Sequence, residues 1–168
     1  MGIHSDEEYE GEEWKLKPLN EATGPLKEQA NEILETVMAI CATITKEDDM
    51  LKEYKSVLME DAYKLPVKIS GAMATLDYIL MMENAVIIKL AARSLMTACS
   101  GMEMFEYEHT DYLKALRSEL DMFKTLFAKW VRCFPREEPL WPDGWALFYS
   151  PEDIEIWNKM NPNEQVEE

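Results

Sequence analysis

Apolar residues recur along this chain at the spacing of three and four that is typical of amphipathic helices. The most regular run begins after Thr110 and ends before Pro135, and it consists of Leu113, Leu116, Leu120, Phe123, Phe127, Trp130 and Phe134. A second run begins near Pro25, a residue type favoured in a first helical turn. It consists of Leu26, Ala30, Ile33, Val37, Ile40, Cys41 and Ile44. We therefore predict an all-α protein.

The chain between these two runs predicts one short and one long helix. Thr45 and the acids that follow it indicate a helix start, and Pro66 indicates a break or a sharp kink because it lacks a backbone donor. Residues 67–99 are apolar on nearly every side, which predicts a long central helix that ends at Ser100 and Gly101. We expect an up-and-down bundle of about four helices, with the last of them packed antiparallel on the central one.

The two ends of the chain differ from its middle. We predict a polar arm over residues 1–19, in which only Trp14 is expected to dock, a helical bundle over residues 20–134, and an extension over residues 135–168. The extension is rich in proline and tryptophan, and large aromatic groups favour burial. We therefore expect it to fold back as an irregular strap. Ser150 and Pro151 predict a short terminal helix, and an acidic tail follows it.

The charge of the chain lies at its ends. The net charge is −16, of which residues 1–14 contribute −6, residues 135–168 contribute −7 and the remainder −3. A protein that binds the nucleic-acid backbone needs a basic stripe, and the sequence shows none. We therefore expect no direct contact with nucleic acid or with an anionic membrane.

Three widely spaced cysteines and the absence of a secretion signal indicate reduced thiols and a cytoplasmic location. The cysteines Cys41, Cys99 and Cys133 all lie in apolar stretches, as core thiols do. No sequence motif indicates a cofactor, and none is predicted.

Glu106 and His109 form the sharpest candidate for metal chemistry. A Glu and a His three residues apart on a helix can share a metal ion, as in di-iron carboxylate bundles. Such a site needs further ligands, yet the only other histidine is His4. A solvated acidic turn is therefore the favoured interpretation.

Five polar residues on the predicted central helix form a second candidate site. They are Asp77, Glu83, Asn84, Lys89 and Arg93. Buried together, they would make a constellation with perturbed pKa values, which is typical of catalytic sites. Paired with charges on neighbouring helices, they would instead fix the register of the bundle.

Methionine and tryptophan supply the candidate interaction residues. Flexible thioethers suit surfaces that accept varied partners, although they fill cores more often. On this basis we select Met81 and Met82 on the central helix, together with Trp141 and Trp145 in the extension.

The chain lacks a phosphate-binding glycine loop, a dinucleotide fingerprint, His-Glu-x-x-His and Cys-x-x-Cys. The leading hypothesis is a non-enzymatic helical bundle that binds another protein, first of all a second copy of itself in a homodimer. An enzyme or carrier that holds a metal ion or small ligand inside the bundle is the alternative. A third hypothesis takes the acidic ends as an inhibitor of a nucleic-acid-binding protein.

Overall fold

The protein is all-α, as predicted. The computed structural model describes residues 6–45, 47, 49–137, 139–140 and 142–164, with the backbone alone for residues 6–13. These ranges contain no strand. Its five helices are α1 (Asp6–Thr43), α2 (Asp49–Thr75), α3 (Tyr78–Met104), α4 (Thr110–Val131) and α5 (Pro151–Met160).

The four long helices pack as an up-and-down bundle. Helix α1 contacts α2 and α4, and α3 contacts the same two helices, so that α1 and α3 lie diagonally across the bundle. Thr23 of α1 bonds to Trp130 of α4, and Thr36 bonds to Glu119, which shows that α1 and α4 run antiparallel. Each helix therefore lies beside its neighbours in sequence, and one core runs between all four.

The prediction that the first helix begins near Pro25 is wrong, because α1 begins at Asp6 and contains both Pro18 and Pro25. The expected polar arm is therefore helical from Asp6 onward. Leu19 and Ala22, which lie between the two prolines, are buried in the core. Their burial holds this part of the helix in place although each proline removes a backbone hydrogen bond.

Of the break or sharp kink predicted at Pro66, the break is wrong, and so is the single helix predicted over residues 67–99. Helix α2 continues through Pro66 to Thr75. Leu65 and Ile69 are fully buried on either side of Pro66, and this packing offsets the missing donor.

The chain reverses instead at Leu76 and Asp77. Leu76 has a φ of 50°, in the left-handed region, and Asp77 caps α3 by accepting a hydrogen bond from the Leu80 N–H at 2.9 Å. The residues of the predicted central helix are thus divided between the C-terminal part of α2 and α3, which run antiparallel.

Helix α3 passes through the predicted stop at Gly101 and ends at Met104. The Tyr54 ring of α2 lies against Gly101, where an added Cβ would sit 2.7 Å from the ring carbon Cζ. Gly101 therefore allows α2 and α3 to approach closely, and it does not end α3.

Helix α4 begins at Thr110 as predicted, and its apolar seam faces the core. All seven seam residues are buried except Phe127, which is half-buried. Its main neighbour is α1, however, and its contact with α3 is the weakest among the neighbouring helices. The expected packing of this helix on the central apolar helix is therefore present only as the minor contact, and α1 is the main partner of its seam.

Trp130 is fully buried where three helices meet. Its indole Nε1–H donates to Thr23 Oγ1 at 3.1 Å, and the Thr23 hydroxyl donates in turn to the Leu19 carbonyl at 2.7 Å. The Met73 sulfur of α2 lies 3.3 Å from the same hydroxyl. One threonine therefore supplies the acceptor that the buried indole requires and fixes the register of α1 against α4.

The short terminal helix is confirmed as α5, with Pro151 in its first turn and a capping box formed by Ser150 and Asp153. Arg136 bonds to buried Asp153 at 2.6 Å and lies over the Tyr78 ring, which ties the extension to the start of α3. Helix α5 packs on the strap, residues 135–149, and makes no close backbone contact with α1–α4.

Glu119 is only partly hydrogen-bonded in the interface between α1 and α4. Thr36 donates to its Oε1 at 2.8 Å, whereas its Oε2 is buried without a hydrogen-bond partner in the described ranges. Burial raises the pKa of Glu119, the bond from Thr36 lowers it by a smaller amount, and the nearby charge of Glu32 adds to the rise.

We predict that Thr23→Val lowers the free energy of unfolding by about 1–3 kcal/mol, because the buried indole N–H loses its acceptor. Thr97→Val is the matched control, since the exposed Thr97 makes the same bond to a carbonyl four residues earlier but has no indole partner. The control should change stability by less than about 0.5 kcal/mol in urea unfolding. Equal losses would show that the indole bond does not stabilise the fold.

We predict that Glu119→Gln stabilises the protein at pH 7. A raised pKa in the folded state means that the group favours folding below its unfolded pKa and loses this contribution as pH rises through the folded value. Glutamine mimics the protonated form, so the gain should shrink as the pH falls toward about 4. Glu53→Gln on the exposed face of α2 is the control. A variant less stable than the natural protein at pH 7 would contradict the prediction.

Candidate functional site

An apolar groove of about 630 Å³ lies between α3 and α4. It exists because these two helices are the least closely packed neighbours in the bundle. The groove is lined by Lys89, Ala92, Arg93, Met96, Leu120, Asp121, Phe123, Lys124, Phe127, Ala128, Val131 and Arg132. Most of these residues are apolar, and we refer to the site they form as the α3–α4 groove.

The rim of the α3–α4 groove is basic. Lys89 and Arg93 come from α3, Lys124 from α4 and Arg132 from its C-terminal cap, whereas Asp121 is the one acid among the lining residues. In the part of the chain that the structure describes, none of the four cations makes an ion pair. Four such charges beside an apolar floor favour an anionic partner with an apolar face.

A polar contact pins α3 to α4 beyond one end of the groove. Arg117 of α4 donates to Glu103 at 2.9 Å and to the Ser100 hydroxyl at 3.3 Å, both on α3. The two helices are thus held together near the connection between them. The groove lies beyond this contact, toward Arg132 at the opposite end of α4.

None of the five polar residues proposed for a buried site is buried. Asp77 is exposed and caps α3, while Glu83 and Asn84 are half-buried, with Asn84 bonded to the Leu80 carbonyl at 2.7 Å. Lys89 and Arg93 are exposed on the rim of the α3–α4 groove. The prediction of a buried constellation is therefore wrong, and the groove brings only the two cations together.

Glu106 and His109 do not lie on a common helix, as a metal site at this spacing would require. Both residues are exposed in the connection between α3 and α4, and Glu106 has a φ of 56°. Because this segment is not helical, residues three apart do not share a face. Within the described ranges, no group of three or more His, Cys, Asp or Glu side chains is arranged to hold a metal ion.

The candidate interaction residues have different environments. Met81 is fully buried and fills the core, whereas Met82 is half-buried against it. Trp145 is 85% exposed, so the strap does not bury this ring as expected. Trp141 lies outside the described residues. Trp157, by contrast, is buried against the strap.

Sequence reasoning missed the α4 half of the groove. Phe127 was assigned to the core seam, and Lys124 and Arg132 were not selected. A signal was present, since Lys124, Ala128 and Arg132 recur every four residues and therefore share one face of the helix. That this face opens toward α3 depends on helix packing, which the spacing does not reveal.

Comparison with family models, with curated proteins and with solved structures finds no match for this chain. Among the described residues, no helix combines the length and the apolar character needed to cross a membrane.

We predict that Phe123→Ala and Phe127→Ala differ in their effect on stability, although the two rings are neighbours on α4. Phe123 is fully buried, so its removal should cost about 3–5 kcal/mol. Phe127 is half-buried at the groove, and its removal should cost about 1–2 kcal/mol, because water already reaches part of the ring. Urea unfolding measures both. Equal costs would show that the groove is closed in solution.

Proposed function

We propose that this protein is a non-enzymatic helical bundle that binds another protein, and that the α3–α4 groove receives an amphipathic helix carrying acidic residues. The observation that carries the proposal is the combination of an apolar floor with a rim of four cations and one acid. Helix-in-groove recognition uses this arrangement, in which apolar anchors enter the groove and charges line its edges.

The size of the groove supports a helical partner. Its lining on α4 runs from Leu120 to Arg132, which is about 18 Å at 1.5 Å per residue. This length matches a helix of about three turns, with anchors at every third or fourth position. Such a helix would cover Phe127, Met96 and Val131, which are all half-buried in the chain alone.

The rim supports selection by charge. Lysine and arginine can lay their aliphatic stems along a bound helix while their charged ends meet carboxylates. Rim charges of this kind act mainly on the association rate, and their effect weakens as salt is added. We also propose the cytoplasm as the location, which the three unpaired cysteines support.

A second candidate function is a carrier of a small amphipathic anion. The observation that favours it is the groove volume of about 630 Å³, which lies within the range of about 300–1,000 Å³ for ligand pockets. A carboxylate held by Lys89 and Arg93, with its hydrocarbon chain on the apolar floor, would satisfy both features. Titration with a long-chain fatty acid tests this candidate. The fatty acid should displace a bound helical peptide only if both bind in the groove.

The test of the leading proposal is titration with a labelled amphipathic peptide of three to four turns that carries leucine anchors and glutamate flanks. We predict that Lys124→Glu combined with Arg132→Glu weakens its binding by about tenfold or more, because two attractive contacts become repulsive. The same peptide with lysine flanks should bind the natural protein poorly.

The matched control is Lys114→Glu combined with Lys129→Glu. These two residues are exposed on α4, do not line the groove, and give the same change in charge. Circular dichroism should show that both double variants keep their helices. If the groove variant and the control bind the acidic peptide equally, the groove is not the binding site.

A further inference from the structure

We infer that the α3–α4 groove of one copy binds the N-terminal part of α1 from a second copy, and that two copies exchange these segments in a dimer. The segment is residues 6–18 of α1, which we call the projecting segment. The inference rests on the proposed function of the groove, and it names the partner.

The projecting segment extends past the end of the bundle. Thr23 lies level with Trp130, one residue before α4 ends, and with Met73, two residues before α2 ends. Helix α1 nevertheless begins at Asp6, 17 residues before Thr23, so it continues for about 26 Å beyond that level. Within residues 14–18, whose side chains are described, Leu16 is half-buried against the core and the other four are exposed, and Leu19 is the first fully buried residue.

The charges of the two surfaces are complementary. Residues 6–13 contain six acids and no base. With Lys15 and Lys17, the projecting segment has a net charge of −4. The groove lining carries four bases and one acid, for a charge of +3. In a chain of net charge −16, the basic groove is therefore complementary in charge to an acidic helix of the same sequence.

Trp14 supplies an apolar anchor. Its side chain is 68% exposed, so the expectation that it docks is not met within a single chain. Tryptophan is prominent among the residues that dominate binding energy when they enter an apolar pocket. The groove offers such a floor at Met96 and Phe127, and its length of about 18 Å matches the projecting segment.

The geometry requires that the groove belong to another copy. Helix α1 is continuous from Asp6 to Thr43, and it lies diagonally across the bundle from α3. The projecting segment therefore leads away from the groove of its own chain, and reaching that groove would break the helix. A two-fold exchange lets both projecting segments and both grooves find partners, as closed dimers do.

Analytical ultracentrifugation of the full-length chain tests the inference. We expect a dimer whose dissociation constant rises by about tenfold or more in Trp14→Ala, and likewise in Lys124→Glu combined with Arg132→Glu. Trp145→Ala removes an exposed tryptophan elsewhere, and Lys114→Glu with Lys129→Glu reverses charges outside the groove. Both controls should leave the constant within about twofold of the natural protein.

A charge exchange distinguishes a direct contact from a loss of folding. Glu10→Lys with Glu13→Lys should weaken the dimer, and combining these changes with the reversed groove should restore it, because attraction returns with opposite signs. A chain that stays monomeric up to about 100 µM overturns the inference. So does a dimer that Trp14→Ala and the groove reversal leave unchanged.

The same measurements test the proposed function independently of the dimer. If the full-length chain is monomeric, or dimerises elsewhere, but the acidic peptide still binds in a groove-dependent manner, the groove binds a helix from another protein and the inference about a second copy is wrong. If neither the peptide nor the dimer responds to the groove reversal, the proposed function is wrong as well.

Discussion

The hydrogen bond from the Trp130 indole to the Thr23 hydroxyl is the constraint on which the arrangement of the helices depends. A fully buried indole needs an acceptor, and Thr23 provides one from α1 while its oxygen also touches Met73 of α2. The bond therefore fixes α4 against α1 at one register. A shift of α4 by one helical turn would leave the indole N–H unpaired. The contact between Thr23 and Met73 places the end of α2 at the same level.

The α3–α4 groove follows from the same constraint. Helix α4 turns its largest side chains, Phe123 and Trp130, into the core, and its closest neighbour is α1. Helix α3 packs mainly on α2, where the Tyr54 ring of α2 lies against Gly101 of α3. It is also bound by Arg117 at one end of α4. With α4 drawn to α1 and α3 drawn to α2, the space between α3 and α4 is the side of the bundle that stays open.

The sequence predicted best where a local signal was strong. Helix α4 has an unbroken apolar period, and α5 has a capping box with a first-turn proline, so both were found within a few residues of their ends. Pro25 and Pro66 suggested helix boundaries, yet both lie inside helices, because burial of neighbouring residues offsets the lost hydrogen bond. That burial depends on contacts with other helices, which the local sequence does not reveal. The true reversal at Leu76 and Asp77 offered little local signal beyond one capping side chain.

The candidate site was predictable only in part for the same reason. Lys89 and Arg93 were selected because charges are conspicuous on an apolar helix, but their exposure depends on how far α4 lies from α3. Lys124 and Arg132 looked like ordinary surface charges, since a helix with one apolar seam normally turns such residues to water. Two helices were needed to make a groove, and sequence spacing describes only one helix at a time.

The charge distribution decides whether a second copy can approach. Two chains of net charge −16 repel each other over their whole surfaces, at separations where added salt screens the charges, since the Debye length is about 8 Å at physiological salt. The rim cations would meet the acids of a bound helix at contact distance, where screening is weaker. Added salt therefore removes the repulsion between whole chains before it removes the attraction inside the groove. Moderate salt should favour the specific contact, and low salt should keep like chains apart.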